Sequence, residues 1–141
     1  MSDADALARR VADTMIAREG TGPAWGLLIE EAREGYARVR MTVRADMVNG
    51  HDITHGGMIF SLADSAFAYA CNSRNETSVA QSATISFLAA SKLGDVLVAE
   101  AKELSRAGKS GVYQVGVRTI DGRVIAEFTG LSRTIGGAMI N

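Results

Sequence analysis

The stretch GGMIFSLADSAFAYACNS, residues 56–73, determines how the rest of the sequence is interpreted. Asp64 is its only charged residue, and the remainder is rich in Ala, Leu, Met and Phe. Length and residue propensity favour a helix over a strand. A helix that is apolar nearly all round is buried on most of its sides. We therefore expect the rest of the chain to wrap around it.

Strand-like segments on both sides of this helix can supply that wrapping. Turn signals separate them at Glu34-Gly35, Gly94-Asp95, Gly108-Lys109 and Asp121-Gly122. A mostly antiparallel, six-stranded sheet with its helices on one face defines an α+β fold. The predicted strands are 25–32, 36–43, 78–88, 96–104, 112–120 and 124–134.

A second, shorter helix is predicted over residues 3–19, where apolar residues recur at helical spacing. Ser2 or Asp3 can cap it, and the Gly and Pro residues of 20–23 end it. We expect residues 1–22 to form an N-terminal helix and linker, and residues 23–141 to form a single domain.

Composition excludes several functional classes. The 141 residues carry 15 basic and 16 acidic side chains, so the net charge of −1 gives no field for binding nucleic acid or an anionic membrane. The single cysteine cannot form an internal disulfide or a structural zinc site alone. The acidic N-terminus is unlike a signal peptide, so a cytoplasmic protein is expected.

Asp64 is the main candidate for chemistry. A carboxylate among apolar groups is costly unless it is paired, hydrogen-bonded or facing a cavity. Desolvation would raise its pKa towards the range of a general base, and the carboxylate could also act as a nucleophile. The alternative, in which Asp64 simply accepts hydrogen bonds from neighbouring strands or hydroxyl groups, stays open. Helical spacing places four residues on its side: Phe60, Phe67, Ala68 and Cys71.

Gly56 and Gly57 stand at the N-terminus of the same helix, where backbone N–H groups are unpaired and the helix dipole favours negative charge. Bare amides of this kind can form an oxyanion hole, although the pair could equally be a permissive turn. Gly56 and Asp64 are eight residues apart, about 12 Å along a helix. A reacting carbonyl must approach both within about 3 Å. If both serve one site, a two-fold dimer with two equivalent sites is the simplest arrangement.

Smaller signals are ambiguous from the residues alone. His55 could orient a substrate or cap the helix, and Asn49 could stabilise its own turn or reach an acyl oxygen. Cys71 is interpreted as a buried apolar side chain without a cationic partner. The His51, Asp52 and His55 cluster is a poor metal site, so we predict no metal.

The run NGHDITHGGMIFSLADSAFAYACN, residues 49–72, closely resembles the hotdog-fold acyl-CoA thioesterases of the phenylacetic-acid-degradation (PaaI) type. The segments TISFL (84–88), GKSGVY (108–113) and SRTIGG (132–137) also resemble strands of that family, so residues 25–137 are covered. The resemblance implies a long central helix wrapped by a curved sheet. It also implies homodimers that pair into homotetramers.

The same resemblance implies roles for individual residues. Asp64 would be the catalytic carboxylate, contributed by the opposite chain. Gly56 would be the main oxyanion N–H donor with Gly57 beside it, and Asn49 and His55 would position the thioester and water.

The implied reaction is hydrolysis of an acyl-CoA thioester to a free acid and CoA, without a cofactor. Phenylacetyl or ring-hydroxylated phenylacetyl is the expected acyl group, which suggests a role in phenylacetate degradation. CoA phosphates need basic residues. The expected substrate and CoA contacts are Arg106, Lys109, Arg133 and Phe67.

Two other functions are compatible with the pattern. A hotdog dehydratase or hydratase would pair a histidine base, here His55, with Asp64 across the site. A non-catalytic acyl-CoA sensor would carry a DNA-binding appendage, for which the N-terminal helix is neither long nor basic enough.

Overall fold

A computed structural model describes residues 2–141. The described chain forms three α-helices, a 3₁₀ turn and six strands. The helices are α1 (Asp3–Arg18), α2 (Thr21–Ala24) and α3 (Gly56–Cys71), the 3₁₀ turn is Ala45–Met47, and the strands are β1 (Leu28–Arg33), β2 (Tyr36–Thr42), β3 (Ser78–Phe87), β4 (Val96–Ala107), β5 (Ser110–Thr119) and β6 (Val124–Thr134). None of the helices described has the length and apolar character needed to span a bilayer.

The six strands form one sheet in the order β1-β2-β4-β5-β6-β3, and every neighbouring pair is antiparallel. The sheet is therefore wholly antiparallel. Three of the four predicted turns join neighbouring strands, but Gly94-Asp95 does not, because β3 pairs with β6 and not with β4. The chain instead crosses to the other half of the sheet there. The Gly94 N–H donates to the Val43 carbonyl, and the Val43 N–H donates to the Asp95 carbonyl. Val43 directly follows β2, the strand with which β4 pairs. This crossing leaves β3 as an edge strand.

The helix α3 lies on the sheet and supplies the centre of the core, as its apolar pattern predicted. Its buried residues include Leu62, Ala66 and Phe67. The Phe67 ring packs against Tyr113 and Phe128 of the sheet, at centroid distances of 5.5 and 5.8 Å. The sheet thus covers one long side of α3 and fixes the direction in which its polar residues face.

The helix α1 has 16 residues, as α3 does, and it ends one residue before the predicted residue 19. The Ser2 hydroxyl accepts the Asp5 N–H at 3.0 Å and caps it. Ala8, Val11 and Ala12 are fully buried, so α1 is part of the packed structure. The 20–23 cluster ends α1 as predicted, but residues 21–24 then form the short helix α2. A proline is tolerated there because the first helical turn needs no N–H donors.

Candidate active site

The N-terminus of α3 is capped by its preceding residue. His55 has extended backbone angles, and its Nδ1 accepts the Gly57 N–H at 2.9 Å. A capping acceptor at this position satisfies one of the amides that a helix leaves unpaired. His55 therefore occupies the Gly57 amide and fixes the first turn of α3. This is the capping role that the sequence left open.

Gly56 offers the available amide at this helix end. Its N–H finds no hydrogen-bond acceptor anywhere in residues 2–141. The first turn of α3 contains no acidic residue that would offset the helix dipole. A side chain at Gly56 would bring its Cβ within 3.1 Å of the Phe87 ring. Glycine therefore lets the Phe87 ring lie close to the backbone at the start of α3. The position is suited to stabilising a negatively charged oxygen.

A pocket of about 420 Å³ opens at this amide. It is lined by the loop before α3 and by the chain after β3, including Asn49, Gly56, Ile59 and Phe87. The Asn49 side-chain oxygen accepts the His51 N–H at 2.8 Å, so Asn49 does stabilise its own loop. Its amide nitrogen donates to no acceptor among residues 2–141, which leaves one donor group beside Gly56 for a ligand.

Asp64 lies in the middle of α3, half-buried, in a different pocket of about 200 Å³. Burial raises the pKa of the Asp64 carboxyl, and no hydrogen bond or positive charge from the described residues opposes that shift. None of the described residues donates a hydrogen bond to the Asp64 carboxylate, so the alternative of a carboxylate held by neighbouring strands of its own chain finds no support. An unpaired, partly desolvated carboxylate facing a cavity is typical of a general base or nucleophile.

The walls of the Asp64 pocket are mostly apolar. Phe67 forms part of its floor, and the Cys71 thiol lies beside it. Burial and the nearby Asp64 charge raise the pKa of Cys71 to about 12, which keeps the thiol protonated and unreactive at neutral pH. The full lining comprises Met15, Asp64, Phe67, Ala68, Cys71, Asn72, Ser78, Val79 and Ala80.

The sequence did not single out Asn72, which fixes the end of this pocket. Its side-chain nitrogen donates to the Ala68 carbonyl at 2.9 Å and the Ser78 carbonyl at 3.1 Å, and its oxygen accepts the Ser78 N–H at 2.8 Å. The end of α3 is thereby tied to the beginning of β3. An asparagine directly after a predicted helix and before a strand was the available signal.

Gly56 and Asp64 do not share a pocket within one chain. Two turns of α3 separate them, consistent with the spacing of about 12 Å expected from the sequence. The proposed oxyanion donor and carboxylate therefore form two half-sites on each chain.

The three basic residues expected to bind CoA lie at one end of the sheet. Arg106 pairs with Glu76 at 3.4 Å. Lys109 lies in the β4–β5 turn, and Arg133 is paired in register with Val79, which lines the Asp64 pocket. The eight residue-to-residue steps from Val79 to Phe87 along β3 span about 26 Å. The three basic residues therefore lie at the same end of the sheet as the Asp64 half-site and far from Gly56 of the same chain.

Two further cations, missed in the sequence, lie near Gly56. Lys92 and Arg123 line a groove of about 540 Å³ that shares Ile53 and Ala90 with the Gly56 pocket. Arg123 donates to the Ala90 carbonyl at 2.7 Å and pairs with Asp95 at 3.3 Å. The residues next to Lys92 and Arg123 in the sequence do not indicate a binding site. Only the crossing of the chain over the sheet brings residues 92 and 123 together. Within residues 2–141, no three His, Cys, Asp or Glu side chains cluster as metal ligands would.

Comparison with known proteins shows the family to which the chain is related. The model of the Thioesterase superfamily matches residues 51–126, which include Gly56 and Asp64. The acyl-coenzyme A thioesterase PaaI of Escherichia coli is 42% identical over 91% of this chain and 91% of its own. The solved structure of the E. coli PaaI protein from the phenylacetic acid degradation operon superposes with a TM-score of 0.94 at 40% identity, covering 96% of this chain and 99% of that one.

A more distant structure was solved with coenzyme A. It is a hypothetical thioesterase from Streptococcus pneumoniae, 26% identical, with a TM-score of 0.76 over 79% of this chain and 88% of that one.

This chain belongs to the thioesterase superfamily. It has the hotdog fold and is an acyl-CoA thioesterase of the PaaI type, so the predicted family, fold and thioester hydrolase class are confirmed.

Proposed function

We propose that this protein hydrolyses aryl-acetyl-CoA thioesters, phenylacetyl-CoA or its ring-hydroxylated forms, at two sites formed across a homodimer. The observation that carries the proposal is the pair of half-sites: an unpaired carboxylate at Asp64 and an unpaired amide at Gly56, two turns apart on one helix. A two-fold arrangement brings Asp64 of one chain to Gly56 of the other and completes both sites.

The proposed chemistry uses the two groups in complementary ways. The Gly56 N–H and the α3 dipole stabilise the negative oxygen that develops when the thioester carbonyl is attacked. Asp64 either takes a proton from the attacking water or attacks the carbonyl itself. If water attacks, the CoA thiolate leaves and takes up the proton that Asp64 accepted, and the free acid is released directly. If Asp64 attacks, the CoA thiolate leaves an acyl–Asp64 anhydride, which a water molecule then hydrolyses to the free acid and the regenerated carboxylate. Asn49 and His55 hold the loop and the helix end that position the Gly56 amide.

The size and lining of the Asp64 pocket support an aryl acyl group. A dry cavity of about 150 Å³ holds one benzene ring. The Asp64 pocket has about 200 Å³ and walls that include Phe67, Ala68 and Val79. The E. coli relative belongs to a phenylacetic acid degradation operon, which is the second support for this substrate class and for a role in that degradation.

The exposed surface of β3 supports the dimer. Ala83 pairs in register with Gly130, whose missing side chain makes room for Phe67 of α3, so Ala83 faces the helix side of the sheet. Ala83 is nevertheless exposed, and Phe87 is 52% exposed. We propose that the same strand of a second chain covers this edge, and that two dimers pair into a tetramer in the cytoplasm.

The CoA phosphates need positive charge at the mouth of the composite site. In a dimer, the Asp64 half-site brings Lys109 and Arg133, with Arg106 behind them, whereas the Gly56 half-site brings Lys92 and Arg123. We retain the first set as the proposed contacts. Its members Lys109 and Arg133 both form no salt bridge with any described residue, whereas in the second set only Lys92 is unpaired and Arg123 pairs with Asp95.

The test is release of CoA thiol from phenylacetyl-CoA and from a short aliphatic acyl-CoA, by wild type and by Asp64→Asn. The wild type is expected to prefer the aryl substrate, and the variant to lose at least about a hundredfold in kcat/KM at unchanged oligomeric state.

Asp13→Asn is the matched control, because Asp13 is an exposed aspartate on α1 paired with Arg9. It should keep wild-type activity. Equal turnover by wild type and Asp64→Asn would contradict the catalytic role, and a preference for the aliphatic substrate would contradict the aryl specificity.

A further inference from the structure

The Asp64 pocket has one wall from outside the part of the chain that the family model matches. The match begins at residue 51, whereas Met15 lies on α1. Met15 is partly buried against the core and lines the pocket together with Phe67 and Ala68 of α3. The N-terminal helix therefore contributes directly to the shape of the space beside the carboxylate.

Most other walls of this pocket are fixed. Phe67 is held between Tyr113 and Phe128, and a Cβ at Gly130 would lie 2.8 Å from its ring, so Phe67 cannot move towards β6. Asn72 is held by three hydrogen bonds. Methionine, by contrast, is unbranched, flexible and adaptable to irregular gaps.

The helix that carries Met15 is itself anchored. Its buried residues Val11 and Ala12 pack in the core, and the Tyr69 hydroxyl of α3 donates to the Glu19 carboxylate at the end of α1. Asp5 accepts the Glu34 N–H at 3.0 Å. The backbone at Met15 is thus held in place, and changes of pocket size at this wall come from the side chain alone.

We propose that Met15 is a specificity-determining residue whose side chain limits the acyl group at Asp64 to about one aromatic ring. The inference rests on the proposed function, because it places the acyl group in the Asp64 pocket. Shortening Met15 enlarges the pocket on the α1 side and admits a two-ring acyl group. Enlarging Met15 excludes even one ring.

The test measures binding separately from hydrolysis. Two CoA thioethers that cannot be hydrolysed, bearing 2-phenylethyl or 2-(2-naphthyl)ethyl groups, are titrated into wild type, Met15→Ala and Met15→Phe, with Ile16→Ala as control. Ile16 is the adjacent, partly buried apolar residue of α1 and does not line the pocket.

The expected result is a wild-type preference for the phenyl ligand of at least about tenfold, falling below about threefold in Met15→Ala through tighter naphthyl binding. Ile16→Ala should keep the wild-type ratio. Met15→Phe should weaken phenyl binding and so tests the wall in a variant that creates no cavity.

Equal ratios in wild type, Met15→Ala and Met15→Phe would overturn the inference, as would the same change in Ile16→Ala as in Met15→Ala. Hydrolysis of phenylacetyl-CoA by the same wild-type sample reports on the proposed function independently. A wild type that binds the thioethers with the expected ratios but hydrolyses nothing would contradict the proposed function and support the role of Met15 in limiting the size of the bound group.

Discussion

Asp64 shows how one side chain can lower stability while making chemistry possible. Its carboxyl is half-buried, and burial raises its pKa without any compensating partner in the described chain. The folded protein therefore holds the proton more tightly than the unfolded chain does. An ionised Asp64 destabilises the fold, and each unit of difference in pKa corresponds to about 1.4 kcal/mol.

We expect Asp64→Asn to increase the free energy of unfolding at pH 7. The stability that protonated Asp64 confers is complete below the unfolded-state pKa and is lost as the pH rises through the raised, folded-state pKa. The gain from the substitution should therefore be largest at neutral pH and shrink to near zero below about pH 4. Urea unfolding from pH 3 to 8 measures it.

The control for this prediction is again Asp13→Asn. It removes an exposed ion pair with Arg9, so it should lower stability by less than about 1 kcal/mol and in the opposite sense. A loss of stability in Asp64→Asn at pH 7 would contradict the account of Asp64 as an unpaired carboxylate.

The absence of a side chain at Gly130 allows the Phe67 ring to pack against β6, so a methyl group at residue 130 should lower the stability of the fold. A Cβ at Gly130 would lie 2.8 Å from the Phe67 ring, which is buried against Tyr113 and Phe128 and can withdraw only into the Asp64 pocket. Gly130→Ala should lower the free energy of unfolding by about 1–3 kcal/mol. It should also push the ring towards the Asp64 pocket and weaken aryl binding.

Gly116→Ala is the matched control, on the neighbouring strand β5. A Cβ at Gly116 would lie 2.6 Å from the Arg118 guanidinium, but this is the far end of a flexible side chain that can turn away. Gly116→Ala should be neutral or slightly stabilising. Equal losses in the two variants would show that the Phe67 contact is not the cause.

The sequence identified Asp64 because a single charge in an apolar helix needs an explanation. It did not identify Met15 as part of the same pocket, because Met15 belongs to an apolar stripe that any packed helix would show. It also paired Gly57 with Gly56 as oxyanion donors, whereas His55 accepts the Gly57 N–H. The periodicity of a helix does not reveal which of two adjacent amides its cap will occupy.

At the scale of elements, β3 is a strand that is paired on one edge only and is mostly exposed. It is an edge strand with exposed residues on both faces, including Val79 and Phe87. Exposed apolar edges of this kind favour pairing with another strand.

We expect Ala83→Asp to dissociate the dimer while leaving the fold of the monomer intact. The residue is exposed in a single chain, so a charge is tolerated there, but it would be buried without a partner at a strand–strand interface. Sedimentation velocity should show monomers, and hydrolysis should be lost with them. Ser105→Asp, an exposed small residue on β4, should remain dimeric and active. A dimeric Ala83→Asp would exclude β3 as the interface.

The bounds of a helix or strand were predictable where the pattern of side chains determines them. They were less predictable where backbone hydrogen bonding between strands determines them. The long apolar helix was placed within two residues of its end. The strand β4 runs to Ala107, beyond the predicted residue 104, because a bulge between Glu103 and Ser105 interrupts the alternation while the ladder continues to the turn. The pairing of β3 with β6 has no local signal, since it depends on the crossing after Leu88.

At the scale of the whole molecule, the proposed site belongs to two chains, and this can be tested by mixing inactive variants. Gly56→Pro removes the amide hydrogen at the first helical position, where the proline backbone is tolerated. Its Cβ would lie 3.1 Å from the Phe87 ring, which is exposed and can shift by the few tenths of an ångström required. The preceding residue, His55, already has the extended backbone that proline requires (φ −60°, ψ 132°). Gly56→Pro and Asp64→Asn should each be nearly inactive alone.

When the two variants are unfolded together and refolded, half of the dimers contain one chain of each kind. One of the two sites in each mixed dimer then has both an intact Gly56 and an intact Asp64. Activity should recover to about a quarter of the wild-type value. No recovery, with mixed dimers shown by mass spectrometry, would place both groups in the same chain.

The order of strands also has a consequence for how the chain acquires its structure during synthesis. β3 leaves the ribosome about 40 residues before β6, its only partner within the sheet, because chains emerge from the N-terminus. Until residues 124–134 appear, α3 has no cover on that side and β3 has two unpaired edges. The last strand made is therefore the one that closes the core, and a chain cut short before it exposes two unpaired strand edges of β3, which favours aggregation.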